Sequence, residues 1–180
     1  MEERLQLPTT PRQQDGQGLE NVTTCYTDAS FRHRPDGRPT VAGIGILFCN
    51  SSGPIRPAIE VKAVATQVSS PLQAEAMALL LASRMAKALH ISSMRYATDS
   101  KQLVDTLSKG DYQADPAHWT LRPLLYEFRS NNQGISFTMR KIAREQNTTA
   151  HNLAQQVNAM DASALSIHLY SSSSSPTMPH

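Results

Sequence analysis

The sequence has few cysteines, few aromatic residues and little net charge, and each shortage narrows what the protein can be. Cys25 and Cys49 lack metal-ligand spacing and give no sign of an oxidising compartment, so we expect buried free thiols. Aromatic residues make up 6% and hydrophobic residues 39% of the 180 residues, which fits a small α/β domain with polar ends. A formal net charge of +2 neither argues for nucleic-acid binding by itself nor excludes it.

Long hydrophobic runs are also missing. The first residues, Met-Glu-Glu-Arg, lack the apolar stretch of a signal peptide, and no run is long enough to span a membrane. We therefore expect an intracellular protein, in the nucleus or the cytoplasm, that does not associate with a membrane. The sequence gives no protein partner, and we expect a monomer.

Composition divides the chain into three parts. Residues 1–20 are rich in Gln, Pro, Gly and charge without periodicity, so we expect a flexible N-terminal segment. Residues 21–162 carry the alternating and helical patterns of one domain. Residues 163–180 include five consecutive serines and are predicted to be a disordered, low-complexity tail.

The order of elements within the domain predicts a mixed sheet. Three β-rich runs separated by turn residues predict an antiparallel meander, and a helix before the fourth strand predicts a right-handed crossover that returns this strand parallel to the first. The fold class is therefore α/β, with a five-stranded sheet of three antiparallel strands and two parallel additions, flanked by helices. The predicted strands are 22–31, 41–49, 55–67, 94–98 and 135–142, and the predicted helices are 71–89, 101–108, 117–131 and one beginning at Asn147 or Thr148.

Glu75 is in an unusual position for a structural residue. On a helical wheel it falls on the apolar face of the long helix, together with Leu79 and Ala82. A lone ionised carboxylate on that face is costly unless a cation meets it. The alternative is a half-exposed acid in the first turn, favoured by the helix dipole.

The predicted topology brings two more acids to Glu75. Asp28 lies on the first strand and Asp99 ends the fourth, at the edge where ligand crevices form in open sheets. Three carboxylates in one place do not all stay ionised without a cation, and magnesium prefers such oxygen ligands. Two such ions about 4 Å apart would hold a phosphodiester and activate a water for in-line attack.

Five motifs in this order resemble the ribonuclease H type 1 fold, and most closely the plant ribonuclease H-like domains of reverse-transcriptase-bearing retroelements. The resemblance covers about residues 21–160. The motifs are Tyr-Thr-Asp-Ala-Ser-Phe (26–31), Ala-Gly-Ile-Gly-Ile (42–46), Gln-Ala-Glu-Ala-Met-Ala-Leu (73–79), Thr-Asp-Ser-Lys-Gln-Leu-Val (98–104) and Arg-Glu-Gln-Asn-Thr-Thr-Ala-His-Asn-Leu-Ala (144–154).

The resemblance implies an endonuclease that hydrolyses the RNA strand of RNA–DNA hybrids by a two-metal-ion mechanism. It implies that Asp28, Glu75 and Asp99 hold two Mg²⁺ or Mn²⁺ ions. It also implies that the backbone of Ala29 and Ser30 lies near the 2′-hydroxyls of the substrate.

Further site residues follow from the remaining motifs. We expect Ser100 to contact the nucleic acid, although it or Asp99 also fits the N-cap of the second predicted helix. Arg144, with Arg140 and Lys141, fits either phosphate contacts or a solvated basic edge. Trp119 fits either base stacking or helix packing, and packing is the more common role.

The last motif leaves two readings of the function open. The family's fourth acid falls on His151, which we include among the catalytic residues, but a neutral imidazole is a poor ligand for magnesium. The alternative for His151 is a helix-edge histidine that binds no metal. The chain would then be a weak or inactive ribonuclease H-like domain that binds nucleic acid, a retroelement remnant. Pro71 and Leu72, where family members often carry Asn or Gln, favour the same alternative.

Overall fold

Three antiparallel strands at the start of the domain form the centre of the sheet, as predicted. The computed structural model describes residues 22–32, 40–50, 57–109, 116–157 and 165–169. Strands β1 (Thr23–Arg32), β2 (Val41–Asn50) and β3 (Pro57–Thr66) pair in sequence order. Pro57 begins β3, a position where the missing N–H costs no central ladder bond. The predicted N-terminal segment 1–20 and the turns between these strands lie largely outside the described residues.

Two parallel strands extend the sheet beyond β1, which confirms the predicted crossover. β4 (Ser93–Thr98) pairs with β1, and β5 (Ser136–Lys141) pairs with β4, both in parallel. The strand order is β5-β4-β1-β2-β3-β6. The carboxyl ends of β1 and β4 therefore lie side by side, and this brings Asp28 and Asp99 to one end of the sheet.

The sixth strand differs from our prediction that residues 163–180 are a disordered tail. β6 (Leu165–Leu169) pairs antiparallel with β3, so that the prediction is wrong for these five residues. Their sequence, Leu-Ser-Ile-His-Leu, alternates apolar and polar residues, and its apolar positions are paired with Ile59, Val61 and Ala63. The alternation covers only five residues and lies next to a run of serines, so the composition of the segment predicted disorder instead of a strand. Residues 158–164 and 170–180 lie outside the described residues.

The four α-helices are close to their predicted positions. The helices are α1 (Pro71–Ala88), α2 (Lys101–Lys109), α3 (Arg122–Asn131) and α4 (Thr148–Gln156). The predicted helix 117–131 is instead a 3₁₀-helix, Pro116–Leu121, followed by α3. Pro123 is near the start of α3, where its missing N–H is tolerated, although it would interrupt a longer α-helix. Trp119, for which base stacking and packing were both left open, is 69% exposed and is not a core residue.

The main core lies between the sheet and helices α1, α2 and α3. Helix α1 packs on β1 and β2 and contacts α2 and α3. Tyr96 of β4 is fully buried and makes edge-to-face contacts with Phe128 and Phe137. Cys25 and Cys49 are buried free thiols, as predicted.

Helix α4 packs on the opposite face of the sheet, against two glycines. A Cβ atom at Gly45 would collide with the carbonyl oxygen of Ala150, and one at Gly43 with that of Ala154. The sequence predicted a close backbone approach at these glycines, and the partner is α4. This close approach sets the distance between α4 and β1, and therefore between His151 and Asp28.

Candidate active site

Three carboxylates from three separate elements converge at the carboxyl ends of β1 and β4. Asp28 lies on β1, Glu75 on α1, and Asp99 directly follows β4. One carboxylate oxygen from each lies within 4.8 Å of the other two. The arrangement predicted from the crossover topology is therefore present, and these oxygens are close enough together to share a cation.

Glu75 reaches this cluster from the second turn of α1. Ser70 is the N-cap of α1 and accepts a hydrogen bond from the N–H of Gln73, and the first turn contains no acid. Our alternative of a first-turn acid favoured by the helix dipole is thus wrong. One carboxylate oxygen, Oε1, accepts a hydrogen bond of 3.4 Å from the N–H of Ala29. The other, Oε2, is buried without a hydrogen-bond partner in the described part of the chain.

Burial raises the pKa of Glu75 well above its usual range, and the neighbouring charges of Asp28 and Asp99 raise it further. The pKa of Asp28 is also raised, first by burial and then by the charge of Asp99, although a hydrogen bond from His151 lowers it. Without a cation, the charged forms of these two carboxyls are therefore less favourable than those of exposed carboxyls. A divalent ion would reverse this balance by favouring the carboxylates.

His151 contacts Asp28 directly. Its Nδ1 lies 2.8 Å from Asp28 Oδ2, and its Nε2 lies 2.9 Å from the amide nitrogen of Gln155. The amide nitrogen can only donate, so Nε2 of His151 accepts and Nδ1 carries the proton that it donates to Asp28. In this arrangement His151 is a hydrogen-bond donor to a carboxylate, and both ring nitrogens are engaged.

The donor set fits a hard divalent cation. All three side chains offer oxygen, and the buried Oε2 of Glu75 has no hydrogen-bond partner among the described residues, so that it is free to bind an ion. Magnesium and manganese both accept such ligands. The carboxylates of Asp28, Glu75 and Asp99 would hold the ion.

Comparisons with known proteins agree with this fold. The reverse transcriptase-like family is matched over residues 27–157. The chain belongs to the reverse transcriptase-like family. Among solved structures, ribonuclease H1 from the halophilic archaeon Halobacterium salinarum is 22% identical, with a TM-score of 0.63 and coverage of 76% of this chain and 97% of that one.

Two further structures are similar to the same extent. The N-terminal ribonuclease H domain of Rv2228c from Mycobacterium tuberculosis is 20% identical, with a TM-score of 0.62 over 76% of this chain and 92% of that one. LC11 ribonuclease H1, isolated from compost and solved with an RNA/DNA hybrid, is 21% identical, with a TM-score of 0.57 over 74% and 94%. At these identities the likeness establishes the fold, which is ribonuclease H-like. A search of curated proteins finds no match.

The other site residues predicted for this chain lie near the three carboxylates, but several of them already form hydrogen bonds within the protein. The N–H of Ala29 is engaged by Glu75. Ser30 is the next residue on β1 and is partly exposed. Ser100 accepts a hydrogen bond of 3.4 Å from the N–H of Leu103 and thereby acts as the N-cap of α2. Arg144 is exposed, and its positive charge contributes to lowering the pKa of both Asp28 and Glu75, so that it lies within electrostatic reach of the cluster.

Two residues that support the site were not predicted. Asn147 is 1% exposed and donates from Nδ2 to the carbonyl oxygen of Thr27, which ties the start of α4 to β1 next to Asp28. The side-chain amide of Gln155 forms a hydrogen bond with Nε2 of His151, the ring nitrogen that faces away from Asp28. Its position four residues after His151 on a helix is a signal that could have identified it, whereas Asn147 was predicted only as a cap.

No described helix is long and apolar enough to cross a membrane.

Proposed function

We propose that this chain is a metal-dependent endonuclease that hydrolyses the RNA strand of RNA–DNA hybrids. The observation that carries the proposal is the cluster of Asp28, Glu75 and Asp99, in which three carboxylate oxygens lie within 4.8 Å of one another. The buried Oε2 of Glu75 has no hydrogen-bond partner in the described part of the chain. Membership of the reverse transcriptase-like family and the structural likeness to ribonucleases H support it. LC11 ribonuclease H1, which shares the fold, was solved with an RNA/DNA hybrid.

In this proposal the three carboxylates hold Mg²⁺ or Mn²⁺, two ions in the mechanism that the sequence suggested. Bound ions would supply positive charge for the phosphodiester and activate a water. Glu75 is held in place by the N–H of Ala29, and Asp28 by His151. The site lies at the end of the sheet beside the exposed Arg144, where an approaching phosphate meets a positive charge.

We assign His151 a positioning role rather than that of a fourth metal ligand. Its Nδ1–H fixes the orientation of the Asp28 carboxylate, and Gln155 fixes the tautomer of His151. A carboxylate whose rotation is restricted before an ion arrives loses less freedom on binding. The roles of Ala29 and Ser30 near a 2′-hydroxyl, and of Ser100 beside the substrate, stay predictions. The plant origin, the intracellular location and the monomeric state also stay predictions.

Cleavage of a labelled RNA–DNA hybrid in magnesium, and then in manganese, tests the proposal. Asp28→Asn should abolish cleavage while its circular dichroism spectrum stays that of the parent. Asp105→Asn removes an exposed acid on α2 and should cleave like the parent. Cleavage by Asp28→Asn at the parental rate would refute the site assignment.

One observation favours a second candidate, a domain that binds hybrids without cutting them. His151 occupies Oδ2 of Asp28, and α4 supplies no carboxylate to the cluster. A folded parent protein that binds the hybrid but does not cut it with either metal would support this candidate. Calorimetric titration with Mn²⁺ would then show whether the carboxylates hold an ion at all.

A further inference from the structure

One part of the sheet is not covered by any of the described helices. Helices α1 and α2 lie on the core face, and α4 packs on the other face over β1, β2 and β3. The same face of β4 and β5 continues past α4. We call this surface, together with the adjoining part of β1, the open face. Alternation along the paired strands assigns to it Thr24 and Tyr26 of β1, Ser93, Arg95 and Ala97 of β4, and Ser136, Thr138 and Arg140 of β5.

The open face carries charged side chains of one sign only. It consists of hydroxyl-bearing side chains, two arginines and an alanine, and it contains no carboxylate until β1 reaches Asp28. Elsewhere the chain has nearly as many acids as bases. A surface with one sign of charge in a nearly neutral protein indicates a charged partner of the opposite sign.

The two guanidinium groups of the open face are available for such a partner. Arg95 and Arg140 are exposed, and neither forms an ion pair or a side-chain hydrogen bond within the described ranges. Arg95 is paired with Thr138 and Arg140 with Ala97, so the arginines are diagonal neighbours on adjacent strands, about 7–8 Å apart at their backbones. Arg144, just after β5, continues this row of positive charge towards the carboxylate cluster.

A cavity adjoins the open face on the side of β2. Its lining is partly apolar and partly polar, and Tyr26 belongs to both the cavity and the open face. The lining residues are Tyr26, Leu47, Cys49, Gln146, Asn147, Thr149 and Ala150. Across the sheet, Arg95 is opposite Thr24, and Thr24 is opposite the cavity residue Cys49, so the arginine and the cavity are two strand spacings, or about 10 Å, apart.

One of the residues that line the cavity, Asn147, has an unsatisfied acceptor. Asn147 is 1% exposed, and its Oδ1 has no hydrogen-bond partner in the part of the chain that the structure describes. Its side chain forms no capping hydrogen bond to α4, and its Nδ2 donates to the carbonyl oxygen of Thr27. A buried carbonyl oxygen without a donor in the described residues could accept one from a ligand that enters beside it, such as an amino group of a base or a ribose hydroxyl.

We propose that the open face and this cavity bind a single nucleic-acid strand. Arg95 and Arg140 contact its phosphates, and one unpaired base enters the cavity against Tyr26, where Asn147 Oδ1 accepts a hydrogen bond from it. Single strands combine a charged backbone with free bases, and protein sites for them combine basic grooves with aromatic side chains. A duplex offers the phosphates but not a free base, and an acidic protein surface offers carboxylates but no base for the cavity.

The test is binding of a labelled single-stranded RNA, measured by fluorescence anisotropy in EDTA. Because no metal is present, the result does not depend on whether the chain cuts nucleic acid. The variant Arg95→Ser/Arg140→Ser should bind about 50-fold more weakly than the parent at 50 mM salt. Each phosphate contact to a single strand raises the binding constant by about 0.9 logarithmic units at 50 mM salt relative to 1 M salt, and the variant loses two such contacts. At 0.5 M salt the difference should shrink to about threefold.

Two further variants make the test specific. Arg84→Ser/Lys87→Ser removes the same charge from the outer side of α1 and should bind within about twofold of the parent. Tyr26→Leu should weaken binding roughly fivefold or more at both salt concentrations, because a stacking contact is not electrostatic. Thermal melting shows that each variant is folded. Single-stranded DNA of the same sequence shows whether a ribose hydroxyl contributes.

Three outcomes would overturn the proposal. The first is single-strand binding by Arg95→Ser/Arg140→Ser that equals that of the parent. The second is an equal loss in the α1 control, which would mean general charge attraction. The third is a loss of blunt-duplex binding in the Arg95→Ser/Arg140→Ser variant that equals its loss of single-strand binding. This result would mean that the open face binds phosphates alone.

Discussion

Replacing Glu75 with glutamine should stabilise the metal-free protein and abolish its response to metal. The side chain keeps its shape, and its carbonyl oxygen can still accept the hydrogen bond from Ala29. The change removes a buried negative charge beside Asp28 and Asp99. At an effective dielectric constant of about 20, two unit charges 4.8 Å apart repel each other by roughly 3.5 kcal/mol.

The direction of the pH dependence follows from the raised pKa of Glu75. A carboxyl with a higher pKa in the folded state binds its proton more tightly there than in the unfolded chain. Folding is therefore helped at acidic pH, and this help is lost as the pH rises from the usual value, about 4.3, through the raised one. The metal-free parent should lose stability between pH 5 and pH 8, and Glu75→Gln should lose less.

Thermal melting in EDTA at pH 5 and pH 8 measures the effect. At pH 8 we expect Glu75→Gln to gain about 1–3 kcal/mol, or roughly 2–12 °C in the midpoint. Saturating magnesium should raise the midpoint of the parent, by about 2.7 kcal/mol at 100 times the dissociation constant, and leave Glu75→Gln unchanged.

Glu127→Gln is a matched control, because the pKa of Glu127 is shifted in the opposite direction to that of Glu75. Glu127 forms an exposed ion pair with Arg84 at 2.7 Å, and the pKa of Glu127 is lowered by this hydrogen bond. Its loss should therefore change the midpoint little or lower it, with no change in the metal response. A lower midpoint for Glu75→Gln in EDTA at pH 8, or a full magnesium response, would refute the reasoning.

Three further changes test the support of the site. Gly45→Ala should lower the free energy of unfolding by about 1–3 kcal/mol in urea denaturation, because its methyl group collides with Ala150; parental stability would mean that α4 does not pack so closely. Asn147→Ala should cost about 1–3 kcal/mol in the same assay, because the buried carbonyl of Thr27 loses its donor. His151→Leu should raise the pKa of Asp28 further, read from the carboxyl carbon by NMR titration, and a lowered pKa would show that the Nδ1 contact does not stabilise the carboxylate.

Most of the fold could be predicted because its pattern is local. Each central strand is a run of β-branched and aromatic residues bounded by turn residues, and the strand after α1 must return in parallel for steric reasons. The same reasoning placed Glu75 beside Asp28, because a helical wheel and a crossover need no knowledge of side-chain contacts. β6 was missed because its five residues are too few to identify as a strand without their pairing to β3, which the sequence does not show.

His151 shows where reasoning from the sequence stops. The resemblance aligned it with an acid, and from that position alone it could be a poor metal ligand or an unconnected helix-edge residue. Its actual contact depends on Gly43 and Gly45, which let α4 approach β1, and on Asn147, which fixes the start of the helix. Those residues come from two elements more than 90 positions apart, and only their packing places Nδ1 at 2.8 Å from Asp28. A donor there can preserve the shape of a carboxylate cluster, so a histidine at the position where the resemblance implies an acid does not by itself imply a lost site.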